Sequence, residues 1–446
     1  MFLPKDIRTC IDMLEQKGFA TYAVGGCVRD SLLGLTPQDY DLCTAATPDM
    51  LRQIFSDFPL VLAGEKHGTV TVIMNGKPVE ITTFRLEGDY RDSRHPDWVR
   101  FVDDISADLS SRDFTVNALA FSPYRGFADP FGGQEDLKNG ILRAVGDPTR
   151  RFTEDALRIL RGIRFSVRYR LTIEASTFAA MTALAPQMDL LAKERIFDEL
   201  CKLLPLVTAE DLLLFAPVLT CVIPELQPAI GFDQQSKYHR FDLYTHTAHV
   251  VEAVPKELSL RLAALLHDIG KPSVFYLDED GNGHFPGHAK ASAEMADAIL
   301  LRLKAPTALR KEVVDLIERH MTPLEPDIRI LRRRLGKYGI TQTQALLALQ
   351  RADATSKGVA EPATAFNETE QLIAQILSEE ACLTLKDLKI SGHDLLQAGQ
   401  APGPHLGACL NYLLSLVQED TIPNEKQALL SSALEWLHQQ SASAIN

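Results

Sequence analysis

Asp39 and Asp41 stand two residues apart in QDYD, a short way downstream of the run GGCVRD at Gly25–Asp30. In an extended strand, residues i and i+2 face the same side, so this spacing predicts that the two carboxylates project together. Paired carboxylates suit Mg²⁺, whose remaining positions go to water and substrate phosphates. Two such ions can serve both the attacking and the leaving oxygen of a phosphoryl transfer. A glycine pair between a strand and a helix lets backbone N–H groups approach a triphosphate at the helix N-terminus. Taken alone, D-x-D is ordinarily a solvated turn; Gly25-Gly26 just upstream tips the balance towards chemistry. Glu80, on a later strand, is either a third carboxylate at this site or an outward polar residue of an alternating strand.

A second constellation follows. His246 lies in YTHTAHV, His267-Asp268 in LAALLHDIGKP, His288 in HFPGHAK, His320 in IERHM and Asp353 in QRADA, each on a stretch of helical periodicity. Imidazoles with carboxylates suit divalent transition metals or Mg²⁺. A bound ion lowers the pKa of its water and makes a nucleophile for a phosphoester. A lone helical histidine is more often structural than ligating; six such residues in this order are not a lone histidine. His249 and His284 are read as structural, and His239 is unassigned.

These side chains need a scaffold. Ile7, Cys10, Ile11 and Leu14 recur at helical spacing over about residues 4–17. Thr21 to Val24 reads as a strand running into Gly25-Gly26, with a helix from about Cys27 to Leu33. A second strand is expected to carry Asp39, Asp41 and Cys43, and Thr47-Pro48-Asp49 to open a helix capped by Thr47. Stretches 69–74 and 79–84 flank Asn75-Gly76, a hairpin signal. From about 141 the pattern is helical to the end. Thr153 is placed to cap a helix on which Asp155 and Arg158, i and i+3, share a face. Such a pair is ordinarily a surface ion pair of little worth. Yet an acceptor beside a donor also matches the edge shared by cytosine and adenine, an amine donor beside a ring-nitrogen acceptor, and rejects guanine and uracil.

At 446 residues the chain is too long for one ordinary core. With 46% hydrophobic and 24% charged residues, its composition is globular. A net charge of -13 argues against a general nucleic-acid coating protein but allows a local basic groove. Between Arg143 and Arg170 there are eight arginines against three acids, and Arg332-Arg333-Arg334 with Lys337 forms a second basic cluster. Each is either a phosphate-binding face or a solvated helix face. From Glu361 onward eleven acids, three lysines and no arginine leave a tail that does not grip RNA through charge alone. Seven cysteines without a C-x-x-C do not form a disulfide framework or a zinc ribbon, and fit a reducing cytoplasm. No signal-peptide pattern opens the chain, and no apolar run reaches the roughly 18 residues a membrane span needs.

The segment GGCVRDSLLGLTPQDYDLCT resembles the signature of the class II tRNA nucleotidyltransferase and bacterial poly(A) polymerase family. The rest of that pattern follows in order: VEITTFR, YRDSRHPDWV, SRDFTVNALAF, DPFGG and GDPTRRFTEDALRILRGIRF. The resemblance covers roughly the first 200 residues. It implies an α+β chain, in which a small nucleotidyltransferase-fold mixed β-sheet head domain is followed by a mostly α-helical neck, body, HD domain and tail. It implies catalysis by Asp39 and Asp41 with Mg²⁺, and triphosphate contacts near Gly25, Gly26, Arg29 and Asp30. It also implies ribose reading by Arg112 and Asp113, and base selection on the segment holding Asp155, Arg158 and Arg161. Tyr90 to Pro96 matches a flexible loop that helps the switch from C to A addition, and Lys193-Glu194-Arg195 matches a later basic motif. Ser111 stands where a second arginine often precedes Arg112-Asp113.

The order H…HD…H…H…D resembles the HD phosphohydrolase superfamily. It implies one divalent metal of unspecified identity held by His246, His267, Asp268 and Asp353, with His288 and His320 completing a second. The tail segment LTLKDLKISGHDLLQAGQAPGPHLGACLNYLLSLV resembles the C-terminal helical region of bacterial CCA-adding enzymes, which contacts the tRNA elbow. The expected domains are a catalytic head (1–140), a neck and body with the nucleotide-selecting motif (141–230), an HD domain (231–360) and a tRNA-binding tail (361–446). The implied activity is template-independent addition of CMP and AMP, from CTP and ATP, to the 3′ end of tRNA held by its acceptor stem and elbow. Hydrolysis of cyclic or terminal phosphates on damaged RNA ends is the implied second activity. The competing readings are a partial CC- or A-adding enzyme, a poly(A) polymerase, which usually carries a basic C-terminal extension, and an HD phosphohydrolase whose head only binds RNA.

Overall fold

The strands of the head are β1 (Thr21–Val24), β2 (Asp41–Thr44), β3 (Leu60–Val61), β4 (Thr69–Met74) and β5 (Lys77–Thr83), then β6 (Arg85–Glu87), β7 (Val99–Phe101), β8 (Ala120–Ser122) and β9 (Gly126–Ala128) in the computed structural model. It describes residues 1–87, 99–236, 240–358, 363–379 and 381–443; the loop Tyr90 to Pro96 and His239 lie outside them. Seven of these strands form one mixed sheet in the order β3-β4-β5-β2-β1-β8-β9, while β6 and β7 pair separately. β2 runs antiparallel to β1 and parallel to β5, which sets Val24 opposite Asp41 and Asp41 opposite Glu80. Alternation does the sorting: Val70, Val72 and Met74 on β4 and Val79 and Ile81 on β5 are buried. Asn75 (φ 50°) and Gly76 (φ 78°) supply the two left-handed residues that the tight β4–β5 hairpin demands. Helix Lys5–Gln16 buries Ile7, Cys10, Ile11 and Leu14, the stripe its sequence marks.

The elements depart from the sequence reading in four places. Asp39 precedes β2, whose first residue is Asp41. The ladder stops there because β1 ends where Gly25 turns at φ 72°, and because Asp39 would next face Pro78, which has no N–H to give. Thr47 makes no side-chain cap; Pro48 opens the helix without it. Thr153 lies inside helix Pro148–Glu154, which Asp147 caps through the amide of Arg150, and a break at Asp155 separates it from helix Leu157–Tyr169. The region past 141 is not wholly helical: Ile141–Leu142 pairs in parallel with Thr172–Ile173, and Tyr276–Leu277 with Gly283–His284.

The chain packs as two units, Met1–Gln227 with Arg302–Ala305, and Pro228–Leu301 with Pro306 onward. In the first, helix Leu157–Tyr169 buries Ile159, Leu160, Ile163 and Val167. In the second, helices Leu243–Ala253, Leu258–Leu266, Thr307–Arg319 and Ile340–Thr355 pack around Leu262, Leu266, Leu316, Leu346 and Leu349. The tail has its own core of Leu395, Cys409, Leu413, Leu429 and Ala433. Two of the four cations of the second unit's basic cluster have a carboxylate, Arg332 on Asp420 and Arg333 on Glu419.

Helix Gly133–Lys138 touches the turn Thr115–Asn117 so closely that a Cβ on Gly133 would lie 2.2 Å from the Thr115 carbonyl oxygen. Thr115 Oγ1 donates to Asp136 at 2.7 Å in the same contact. Backbone cannot rotate away as a side chain can, so Gly133→Ala is expected to destabilise the protein by roughly 1–3 kcal/mol. A thermal melt checks this, and an unchanged midpoint would contradict it.

Candidate active site and metal cluster

A cavity of about 650 Å³ opens where β1 ends and β2 begins. Gly25, Gly26, Arg29, Asp30, Asp39, Asp41, Arg112, Asp113, Asp155, Arg158 and Arg161 all line it. Gly25 is needed there twice over: its φ is positive, and a Cβ would meet the Arg112 guanidinium at 2.7 Å. Asp39, although outside the strand, lines the same cavity as Asp41, and both share a neighbouring cavity with Glu80. Asp41 is exposed to the cavity. Its carboxyl is nevertheless raised above the ordinary value, first by the loss of water around it on burial, with Glu80 and then Asp39 adding repulsion and Arg112 opposing it. Asp39 and Asp41 on this cavity, with Glu80 opposite Asp41 on β5, are oxygen donors of the kind a hard divalent cation takes.

Asp155 and Arg158 are not paired with each other. Asp155 accepts from the Leu157 amide at 3.0 Å and from Arg195 at 2.8 Å. Arg158 is buried and donates to Glu154 at 3.0 Å and to the Ser111 carbonyl at 3.2 Å. The surface ion pair that their spacing allowed is therefore not formed, and each is held by other groups. Arg151 also donates to the Ser111 carbonyl, at 3.2 Å, so position 111 serves this contact through its backbone. Arg112 lies 3.6 Å from Asp108. Asp113 is buried and takes two hydrogen bonds from Arg161, at 2.9 and 2.7 Å. Burial pushes the Asp113 carboxyl up, but Arg161 and the Asn117 amide outweigh this and bring it down to about 2. Arg29 spans Asp30, Asn117 and the hydroxyl of Tyr169.

The histidine constellation converges in the second unit. One ligand atom each from His246, His267, Asp268 and Asp353 lies within 4.8 Å of the others, and the same holds for Asp268, His288 and His320. His246 Nε2 is 3.1 Å from Asp353, and His267 Nε2 3.2 Å from Asp268. His288 Nε2 and His320 Nε2 are 3.5 and 3.9 Å from the other Asp268 oxygen. Every one of the four rings turns its Nδ1 to a backbone carbonyl, of Ser356, Ala264, Phe285 and Ile317 respectively. With the proton on Nδ1, each ring would turn its Nε2 lone pair towards the carboxylates, the arrangement of metal-bound histidines. Among the described residues, buried His267 Nε2 and Asp268 Oδ1 have no hydrogen-bond partner. Burial pushes His320 down to about 4 and also lowers His288, so both favour the neutral form a metal ligand needs. A divalent cation fits this donor set.

Several residues at these sites escaped sequence reasoning. Tyr169 lies beyond the quoted motifs and Asn117 inside SRDFTVNALAF without a role, since their partners are distant in sequence. Arg195 was visible only as part of a basic motif without a role. Lys271 sits 2.7 Å from Asp268 and 3.0 Å from Gln234; its i+3 spacing from Asp268 in HDIGKP was the available signal. His249, packed on Phe241, and exposed His284, paired with Asp278, stand apart from the metal cluster.

Residues 21–143 match the poly A polymerase head domain, 170–213 the probable RNA and SrmB-binding site of polymerase A, and 287–433 the putative domain 2 of tRNA nucleotidyltransferases. The CCA-adding enzyme of Levilactobacillus brevis is 33% identical over 431 residues, covering 96% of this chain and 97% of that protein. The crystal structure of the Bacillus stearothermophilus CCA-adding enzyme in complex with CTP superposes with a TM-score of 0.72 at 26% identity, over 99% of this chain and 100% of that one. The Thermotoga maritima CCA-adding enzyme complexed with tRNA shares the fold, with a TM-score of 0.61 at 20% identity over 98% and 96% of the two chains. Matched from end to end by relatives of this one kind, the chain belongs to the CCA-adding enzyme family of nucleotidyltransferases.

Proposed function

We propose that the chain adds CMP and AMP, from CTP and ATP, to the 3′ end of tRNA without a nucleic-acid template, and that it carries a second, HD-type phosphohydrolase centre. The observation that carries the first part is the convergence of glycine loop, crowded carboxylates, ribose pair and base-selecting pair on one cavity. Asp39 and Asp41 would hold Mg²⁺. Bound there, the ions would supply Lewis acidity at the α-phosphate and at the attacking and leaving oxygens. The chain's own groups do the rest. The Gly25-Gly26 backbone and Arg29 receive the triphosphate, and Arg112 and Asp113 meet the ribose hydroxyls. The tRNA 3′-oxygen bonds to the α-phosphorus as the α–β bridging bond breaks, and pyrophosphate leaves. Asp155 accepts from the exocyclic amine of C or A while Arg158 donates to the ring nitrogen beside it. Guanine and uracil present the reverse pattern and leave both groups unpaired. Arg195 and Glu154 hold the two selectors still.

In the second unit, His246, His267, Asp268 and Asp353 would hold one divalent cation and His288 and His320, with Asp268, another. Such a centre would supply a water of lowered pKa for attack on a phosphoester. Cyclic or terminal phosphates on RNA ends are the fitting substrate for a centre on the same chain as an RNA 3′-end polymerase.

The assay is incubation of the pure protein with Mg²⁺, CTP, ATP and tRNA transcripts lacking CCA, CA or A, read at single-nucleotide resolution. Addition through CCA followed by arrest is expected. Stopping at CC, or adding only A, would make it a partial enzyme, a long A tail a poly(A) polymerase, and no addition would leave the HD centre as the chain's chemistry. Asp39→Ala and Asp41→Ala are each expected to lower nucleotide addition by at least about 10²-fold while leaving phosphatase activity intact. His267→Ala and Asp268→Ala should do the reverse; loss of both activities from either pair in a folded protein contradicts two independent centres. Arg158→Ala is expected to let GTP and UTP compete, and unchanged selectivity would remove it from the base-reading role.

A further inference from the structure

Tyr169 is the last residue of helix Leu157–Tyr169, which begins beside the base-selecting pair. The chain leaves that helix at once, because Arg170 adopts a left-handed φ of 52°. This ending sets the Tyr169 side chain on the wall of the nucleotide cavity, against the first turn of helix Gly26–Leu32. Its hydroxyl does two things there. It accepts from Arg29 NH2 at 2.5 Å and donates to Asp30 Oδ1 at 3.0 Å. Its ring lies under the same guanidinium, 4.2 Å from the Arg29 carbon.

The donor count of Arg29 makes the hydroxyl consequential. A guanidinium has five N–H groups. Nε and one NH2 hydrogen go to Asp30 Oδ1, at 2.9 and 2.7 Å, and the second NH2 hydrogen goes to Tyr169. One NH1 hydrogen goes to Asn117 Oδ1. Four of the five are taken by protein, leaving one for a ligand. The cation is thus a fixed charge with a single aimed donor, and three chain segments far apart in sequence hold it. A residue needed only for packing could be phenylalanine; the hydroxyl that both accepts and donates is the part that packing does not require.

We propose that Tyr169 is a positioning residue for nucleotide binding: its hydroxyl locks the Arg29–Asp30 pair in the geometry that receives the triphosphate, tying the glycine-loop helix to the far end of the base-selecting helix. The inference rests on the nucleotidyltransferase reading above. Because CTP and ATP share the triphosphate, removing the hydroxyl weakens both equally. Asp155 and Arg158 lie at the other end of the helix, so the choice of base is untouched.

The test is steady-state addition of CTP to a tRNA transcript lacking CCA, and of ATP to one lacking only the final A, by wild type, Tyr169→Phe, Arg29→Lys and the double variant. Tyr169→Phe is expected to raise KM for CTP and for ATP by the same factor, about tenfold, the worth of one charge-assisted hydrogen bond. kcat should stay within about twofold, the thermal midpoint close to wild type, and discrimination against GTP and UTP unchanged. In the Arg29→Lys background the same change should have little further effect, since the hydroxyl acts through that guanidinium. An unchanged KM in Tyr169→Phe, unequal effects on the two nucleotides, full additivity with Arg29→Lys, or a loss explained by a lowered melting midpoint would each overturn the proposal while wild type still adds CCA. A wild type that adds no nucleotide would instead overturn the reading on which the proposal stands.

Discussion

The register that puts Val24 beside Asp41 and Asp41 beside Glu80 is the constraint from which the nucleotide cavity follows. Side chains alternate with a period of two along a strand, so a slip of one residue between β2 and β5 would send Glu80 to the opposite face from Asp41. Nothing in the carboxylates favours this arrangement: burial raises the Asp41 carboxyl first, and repulsion from Glu80 and Asp39 adds to it. The register is imposed from elsewhere. Buried Val72 faces Val79 and Val70 faces Ile81 along the β4–β5 hairpin, which the left-handed turn at Asn75-Gly76 closes at a single length. Two buried hydroxyl contacts pin the far end: Thr21 with Thr44 at 2.9 Å, and Thr83 with the Ala46 carbonyl at 2.7 Å. Apolar packing and hydroxyl pairs thus hold together acids that would otherwise separate.

The arginine-rich run behind the cavity has a related economy. Most of its arginines already have a carboxylate: Arg143 on Asp136, Arg150, Arg151 and Arg158 on Glu154, Arg161 on Asp113, Arg164 on Glu199 and Arg170 on Asp211. The Arg164–Glu199 pair is buried at 2.6 Å and joins helices Leu157–Tyr169 and Lys193–Leu203. Either partner alone would be an uncompensated buried charge, which is far costlier than the pair is favourable. The run is therefore first an internal frame of ion pairs, and its exposed members, such as Arg168 on the cavity wall, are the ones left open to solvent.

Local signals carried the sequence reading a long way. The hairpin, the first amphipathic helix and the glycine turn each depend on residues within a few positions of one another, and each formed where its pattern lay. Asp39 failed as a strand residue because the reason lies on another strand, in the missing N–H of Pro78. Thr153 failed as a cap because Asp147 caps first and the helix stops at Asp155 before a second can start. The same limit explains the site residues that went unseen. Asn117, Tyr169 and Arg195 act through partners 88, 140 and 40 positions away in sequence, and no window of a single chain shows such a pair. The motif residues were visible because their spacing is itself the chemistry.

Asp268 raises a different question, since it is buried at 2% exposure among four imidazoles. Lys271, itself buried, supplies a fixed positive charge beside it at 2.7 Å. That ammonium faces one oxygen, Oδ2, whereas Oδ1 faces the Nε2 atoms of His288 and His320, which are themselves 3.2 Å apart. Two neutral imidazoles with both protons committed to Nδ1 cannot donate to Oδ1 or to each other. An unpaired buried acceptor of this kind costs about 1–3 kcal/mol, more when charged, and a packed interior does not keep several such atoms together without compensation. The other tautomer would satisfy Oδ1 but give up the Nδ1 contacts to the Phe285 and Ile317 carbonyls, each of which also accepts a backbone amide. A divalent cation between these atoms would meet both imidazoles and Oδ1 at once, which is why this donor set suits one.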